Sequence, residues 1–197
     1  AFRQPVLEAQ LRAGLGGFPC VGTRFSTRVS ALAEDRDGVV VTLDEAGGGS
    51  RRVRARYVVA ADGARSGIRE ALGIPMGGST YDRRWLIVDL AGSRDRFRHT
   101  RVFCDPARPG LVLPGPGGTR RYEFMVLPGE NADELVDEAR VRALLARYSD
   151  EDAGLEIVRR VVYQFHARIA QRWRSGRILL AGDAAHLSPP FAGQGMN

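Results

Sequence analysis

A chain of 197 residues, 44% hydrophobic and 26% charged, is long enough for one sizeable core or two small ones, which excludes a disordered chain. Its net charge of +6 is carried by arginine alone, and the densest cluster, RRVRARY, alternates Arg52, Arg54 and Arg56 with Val53 and Ala55 as a half-exposed strand does, without the interleaved aromatics of a base-stacking surface. No apolar run approaches the roughly 18 residues of a membrane span and the opening AFRQPVLEAQ has no signal-peptide core, so neither nucleic acid nor membrane is an expected partner and the expected compartment is the cytoplasm.

Pro5 suits a first helical turn, and Leu7, Leu11 and Leu15 recur on one helical face, so the chain is expected to open on a helix with Gln4 at its mouth. Cys20 and, much later, Cys104 have neither metal nor redox spacing and read as free thiols. From Arg24 to Tyr57 the pattern is that of a strand meander reversed at DRDG and EAGGGS. A fully apolar, buried strand from Tyr57 to Ala61 then reaches a sharp turn at Asp62 and Gly63, followed by a short helix from about Ser66 to Leu72.

Beyond Pro75, RRWLIVDLAG, RHTRVFC and RRYEFMVLP are rich in aromatic and β-branched residues between Gly and Pro clusters, the texture of an antiparallel sheet. One helix is expected to interrupt it, with Asn131 as N-cap, Glu134 three residues on, and Arg140, Arg142 and Arg147 toward its end. A long strand from about Leu155 to Ile169 follows, and GRILLAGDAAH returns to the buried-strand style of Tyr57 to Ala61.

Two apolar strands therefore end in acidic turns, at Asp62 and at Asp183. In open α/β sheets ligands bind beyond such carboxyl ends, where a short carboxylate can accept hydrogen bonds from ribose or ribityl hydroxyls and glycines let backbone N–H groups approach a phosphate. After Asp183, Pro189 and Pro190 supply a rigid segment without backbone donors, and Gly193 and Gly195 bracket a turn able to open a helix N-terminus toward an anion.

The stretch Asp62-Gly63-Ala64-Arg65-Ser66-Gly67-Ile68-Arg69 resembles the Asp-Gly motif, and Gly182-Asp183-Ala184-Ala185-His186 with Pro190, Gly193, Gly195, Met196 and Asn197 resembles the Gly-Asp motif, of single-component FAD-dependent aromatic hydroxylases of the p-hydroxybenzoate hydroxylase type. RWLIVDL, YEFMVLPGE and FHARIAQRWRSGRILLAGDAAHLSPPFAGQGMN are most similar to the 3-(3-hydroxyphenyl)propionate hydroxylase branch. The resemblance implies a mixed α/β fold: an incomplete Rossmann-like FAD-binding domain over 1–73 and 170–197, with an antiparallel-sheet substrate domain inserted over 74–169. Its implied cofactors are FAD and, transiently, NAD(P)H, and the implied partner is a small phenolic substrate that receives one oxygen atom from O2. A halogenase, epoxidase or reductase with the same two motifs, or a non-catalytic fragment, is the alternative.

Carried over by position, the resemblance assigns Gly182 and Asp183 to the ribityl chain. It lays Pro190, Gly193, Gln194, Gly195, Met196 and Asn197 along the flavin ring, places Asp62 and Gly63 near the pyrophosphate and nicotinamide cofactor, Arg65 and Arg69 as phosphate partners, and Gln4 against the flavin. No metal ligand is expected. For the base that helps ionise a phenol, Tyr122, Tyr163, His166 and His99 are all candidates and none is singled out. The family's opening strand, Gly-x-Gly-x-x-Gly turn and helix have no counterpart, because AGLGGFP at 13–19 follows a helix and lacks the third glycine spacing. The helix after Asn197 is absent as well. The chain is therefore expected to be a fragment that holds FAD weakly and self-associates through uncovered sheet.

Overall fold

The computed structural model describes residues 4–190. In chain order the elements are α1 (Gln4–Leu15), β1 (Thr27–Glu34), β2 (Val39–Glu45), β3 (Ser50–Ala55), β4 (Val58–Ala60), α2 (Gly67–Ala71), β5 (Met76–Ala91), β6 (Arg101–Phe103), β7 (Gly110–Pro114), β8 (Arg120–Met125), α3 (Ala132–Leu135), α4 (Glu138–Ala146), α5 (Asp150–Ala153), β9 (Glu156–Ala170), β10 (Arg174–Ser175), β11 (Ile178–Leu180) and β12 (His186–Leu187), with a 3₁₀ turn at Gly182–Ala184. The fold is mixed α/β. It comprises two compact units: one holds the described part of Ala1–Pro19 with Tyr81–Gln164, the other Cys20–Thr80 with the described part of Phe165–Asn197. No described helix is long and apolar enough to cross a membrane.

In the first unit the strand order is β9-β5-β8-β7-β6, with β5, β8, β7 and β6 pairing antiparallel. β8 shows the period-two pattern of a strand with one covered face: Arg120, Tyr122 and Phe124 are buried, while Arg121, Glu123 and Met125 are half-buried. Leu86, Val88 and Leu90 of β5 and Val112 of β7 join Tyr122 and Phe124 in a core closed by Leu135, Val141, Leu144 and Leu145 from α3 and α4. Below it, Asp152 accepts hydrogen bonds from the Tyr122 hydroxyl (2.7 Å) and Ser93 Oγ (3.0 Å), so the buried charge is solvated by protein. None of the residues of α1 is buried.

The single helix expected after Asn131 is three. Asn131 Oδ1 accepts from the Asp133 N–H (2.9 Å) and starts α3, but Asp137 Oδ1 accepts from Ala139 N and Arg140 N (3.0 and 3.3 Å) and starts a new helix, α4; Ser149 Oγ does the same for α5 through Asp152 N (3.1 Å). Short polar side chains compete for backbone donors, and here they break what periodicity alone reads as continuous. β5 likewise extends back to Met76, through Gly77, Gly78 and Ser79, whose poor strand propensity hid it.

In the second unit β1, β2 and β3 form the expected antiparallel meander, with a bulge between Val29 and Ala31. A second sheet has the order β10-β11-β4, with β10 antiparallel to β11 and β11 parallel to β4. Val39 and Val41 of the meander pack with Ile178 of β11, while Ala60, Ile74, Ala170, Leu180 and Ala185 form an adjoining cluster. β4 is not fully buried as expected: Val59 is 63% exposed, because it points away from both clusters on an edge strand.

Arg108, buried in the first unit, donates to the Met125 carbonyl oxygen (2.8 Å) and to both carboxylate oxygens of Glu130, which also accepts from Leu127 N (2.7 Å). The Arg108 hydrogen bond, the leading cause, holds the Glu130 carboxyl below its ordinary value of 4.5. A depressed carboxyl stabilises the fold above its unfolded pKa and loses that contribution as pH falls. Glu130→Gln is expected to lower unfolding free energy by about 2 kcal/mol near neutral pH. The gap to the parent should narrow below about pH 4.5 in urea titrations; a gap independent of pH would count against this ion pair.

Candidate functional site

The site is built on the parallel pairing of β4 with β11. Val58, Val59 and Ala60 pair with Ile178, Leu179 and Leu180, and Ala181 N donates to the Ala60 carbonyl oxygen (2.8 Å). Both strands therefore end at one level, and the turns carrying Asp62 and Asp183 leave the sheet side by side at its carboxyl edge. That is the position where α/β sheets take ligands. Gly63 (φ 84°) and Gly182 (φ 57°) make these turns possible, since both lie in the left-handed region that favours glycine.

The two carboxylates differ. Asp62 Oδ1 accepts from Ser66 Oγ (2.5 Å) and Oδ2 from Ile68 N (3.1 Å), while Ser66 Oγ accepts from Arg69 N (2.9 Å), so Asp62 and the fully buried Ser66 together cap α2. Asp183 is exposed, and no donor among the described residues is bonded to its carboxylate. It sits on the 3₁₀ turn whose Ala185 N–H donates to the Gly182 carbonyl oxygen (2.8 Å) and whose Ala185 carbonyl oxygen accepts from Ala170 N (2.7 Å). Ala184 and Ala185 beneath it are fully buried. An unbonded carboxylate on a rigid turn at a sheet's carboxyl edge suits hydroxyl donors, so these residues fit a dinucleotide's ribityl or ribose chain.

Arg69 ties the two turns together. It is only 6% exposed, and its guanidinium donates to the Ala184 carbonyl oxygen (3.1 Å) and the Ala64 carbonyl oxygen (3.0 Å). Expected beside a phosphate, Arg69 is held as a brace between the two turns, whereas Arg65 is exposed. Residue-type reasoning missed this brace and the cap made by Ser66. The signal available was the spacing Asp62, Ser66, Arg69, a capping serine before a short helix.

Gln4 Nε2 donates to Glu8 Oε1 (2.9 Å) on the exposed surface of α1. Pro189 and Pro190 follow β12 as irregular chain, and Gly193, Gln194, Gly195, Met196 and Asn197 lie outside the described residues. His186 stacks on Trp173, with ring centroids 5.6 Å apart and planes at 19°. Cys20 and Cys104 are free and exposed. Among the described residues no group of three or more His, Cys, Asp or Glu could hold a metal.

The four candidate bases separate. Tyr122 is 1% exposed, and burial, then its hydrogen bond to Asp152, drives its pKa up, so it neither reaches a ligand nor ionises. His99 is exposed, edge-on to Phe97 at 5.2 Å. Tyr163 is exposed with its hydroxyl bonded to Arg159. His166 is half-buried, its Nδ1 2.9 Å from Thr80 Oγ1, which also accepts from Arg168 (2.7 Å). Thr80 Oγ1 therefore bridges the His166 ring and the Arg168 guanidinium, which keeps this face of the imidazole engaged within the protein.

The whole chain, residues 1–197, matches the family described as "FAD binding domain". It is 41% identical over 196 residues to a 3-(3-hydroxy-phenyl)propionate/3-hydroxycinnamic acid hydroxylase of Burkholderia cenocepacia (strain HI2424), and 40% identical over 197 residues to that of Escherichia coli O81 (strain ED1a). Each match takes in 100% of this chain and 36% of the relative, so the chain spans about a third of the length of these relatives. Among solved structures it is similar to p-nitrophenol 4-monooxygenase PnpA from Pseudomonas putida DLL-E4, with a TM-score of 0.84, 25% identity, and coverage of 99% of this chain and 50% of that one. It is also similar to aklavinone-11 hydroxylase in complex with FAD and aklavinone, with a TM-score of 0.80, 30% identity, and coverage of 97% and 37%.

Arg69→Ala leaves two carbonyl oxygens without their donors and is expected to cost about 3 kcal/mol in stability. Arg69→Lys should recover less than half, because an ammonium cannot span both carbonyls as a planar fork does. Thermal melts check both, and an unperturbed Arg69→Ala melt would remove the brace.

Proposed function

The chain belongs to the FAD binding domain family, and on that premise we propose that it is part of a single-component flavin monooxygenase that hydroxylates a phenolic aromatic acid with NAD(P)H and O2 in the cytoplasm. The observation that carries this reading is the pair of adjoining turns after β4 and β11, one carboxylate engaged in capping and the other, Asp183, unbonded. The names of the relatives and structural neighbours supply the direction: hydroxylases and monooxygenases of phenolic or polycyclic aromatic compounds.

Bound FAD supplies the redox chemistry, taking electrons from NAD(P)H and activating dioxygen. The chain's own residues hold and orient. Asp183 would accept hydrogen bonds from the ribityl hydroxyls. Gly63 and Gly182 let backbone approach the cofactor, and Arg65 offers an exposed cation to a phosphate. Pro190 would lie toward the flavin ring; the other expected ring contacts, Gly193 to Asn197, lie outside the described residues. The small aromatic substrate is the proposed partner, and the exposed Val59 on the edge strand β4 is a route to self-association.

In FAD-loaded protein, a phenolic acid such as 3-(3-hydroxyphenyl)propionate is expected to stimulate NAD(P)H oxidation and yield a ring-hydroxylated product; oxidation without product would overturn the reading. Asp183→Ala is expected to weaken FAD binding about tenfold, the loss of one charged hydrogen bond. Its melting temperature should hardly move, because the side chain is exposed and bonded to no donor among the described residues. Flavin fluorescence titration checks this, and undiminished affinity would remove Asp183 from the site.

A further inference from the structure

The stretch from Ser93 to Arg101, SRDRFRHTR, sets four arginines against one aspartate and, unlike RRVRARY, interleaves them with the rings of Phe97 and His99. It forms the loop between β5 and β6 and the first residue of β6. The loop is fastened from within. Ser93 N donates to the Gly118 carbonyl oxygen (3.0 Å) in the turn between β7 and β8, and the buried Arg120 donates to the carbonyl oxygens of Asp95 and Phe97.

Its charges are unevenly used. Asp95 Oδ1 accepts from Phe97 N (2.9 Å) and Oδ2 from the Arg101 guanidinium, so the loop's one acid is already neutralised. Arg94, Arg96 and Arg98, at alternate positions, are exposed and have no hydrogen-bond or ion-pair partner among the described residues. Phe97 is 49% exposed yet held in place, with the Arg101 guanidinium 4.3 Å over its ring and His99 edge-on at 5.2 Å. An exposed ring fixed in this way is a platform for another flat ring.

Loop and turn together line a cavity of about 490 Å³, whose walls include Arg96, Phe97, Arg98, Thr119 and Arg120. That volume suits one small organic ligand. Arg96 and Arg98 bring it two positive charges that no free acid in the wall offsets, and a planar guanidinium holds a phosphate at two points. We infer that this cavity binds a nucleoside diphosphate, with the phosphates on Arg96 and Arg98 and the base against Phe97. An acidic peptide would leave Phe97 unused, and the flanking Ala91-Gly92 and Val102-Phe103-Cys104 supply no cations to continue a track along a nucleic-acid strand. The cavity is built from first-unit residues alone and the turns of Asp62 and Asp183 from second-unit residues, so the inference goes beyond the hydroxylase reading and does not depend on it.

FAD-saturated protein keeps the flavin site from reporting nucleotide binding. In calorimetry ADP is expected to bind about tenfold more tightly than pyrophosphate, the difference made by one stacked base. Arg96→Ala with Arg98→Ala should weaken ADP binding at least about tenfold. Arg51→Ala with Arg52→Ala, which removes the same charge from exposed positions on β3, should leave it unchanged. Phe97→Leu should bring ADP and pyrophosphate close to equal without weakening pyrophosphate. No ADP binding by the parent, equal losses in the two arginine pairs, or an unchanged ratio in Phe97→Leu overturns the inference. So does a ten-residue oligothymidylate that binds more tightly than ADP and is lost with Arg96 and Arg98, which assigns the loop to single-stranded nucleic acid instead.

Discussion

The candidate site depends on one buried guanidinium. Arg69 reaches from α2 to Ala184, 115 residues away, and to Ala64 in its own turn. The parallel pairing of β4 and β11 brings two strand ends together, but a three-residue pairing leaves the turns beyond it free to diverge. Two hydrogen bonds from a planar fork remove that freedom. Asp62 and Ser66 fix the start of α2, and α2 in turn fixes where Arg69 begins its reach. The capping network of one motif thereby sets the position of the other.

The same device recurs through the chain. Arg108 donates to the Met125 carbonyl, Arg120 to those of Asp95 and Phe97, Arg142 to those of Ala153 and Leu155, and Arg177 to that of Arg36. A lysine ammonium is compact and strongly hydrated, and is poorly suited to bridging two carbonyls from a buried position. The excess of basic residues, which raises a nucleic-acid hypothesis on composition alone, is thus partly internal wiring of loops. That is consistent with the absence of aromatic interleaving at RRVRARY, where β3 shows a plain half-exposed pattern.

Features set by local pattern were legible in the sequence. β4 and β11 are apolar runs that stop at an acid and a glycine, and the structure pairs them in parallel as their shared style suggests. The difference between Asp62 and Asp183 was local too: Asp62 has Ser66 four residues on to bond it, whereas Asp183 has Leu187 there. What distant residues decide was not legible. The Tyr122 hydroxyl is engaged by Asp152, 30 residues on, and the Arg69 guanidinium by the Ala184 carbonyl oxygen, 115 residues on, and no local pattern carries either contact. The helix break at Asp137 was locally encoded but masked by good helix formers on both sides.

Adjacent residues of β8 show how a strand sorts structure from function. Tyr122 and Glu123 differ by one position and therefore by one face. On the covered face the polar atom is given a partner inside the protein, Asp152, and the tyrosine's ionisation is driven out of reach. On the opposite face the Glu123 carboxyl has no hydrogen-bond partner among the described residues, beside the Asp89–Arg121 ion pair. Glu123 is not among the described buried atoms without a partner, so its oxygens keep water where Asp152 serves the Tyr122 hydroxyl. One strand thus meets the same requirement, a partner for every polar atom, by two means: protein on the covered face and water on the other.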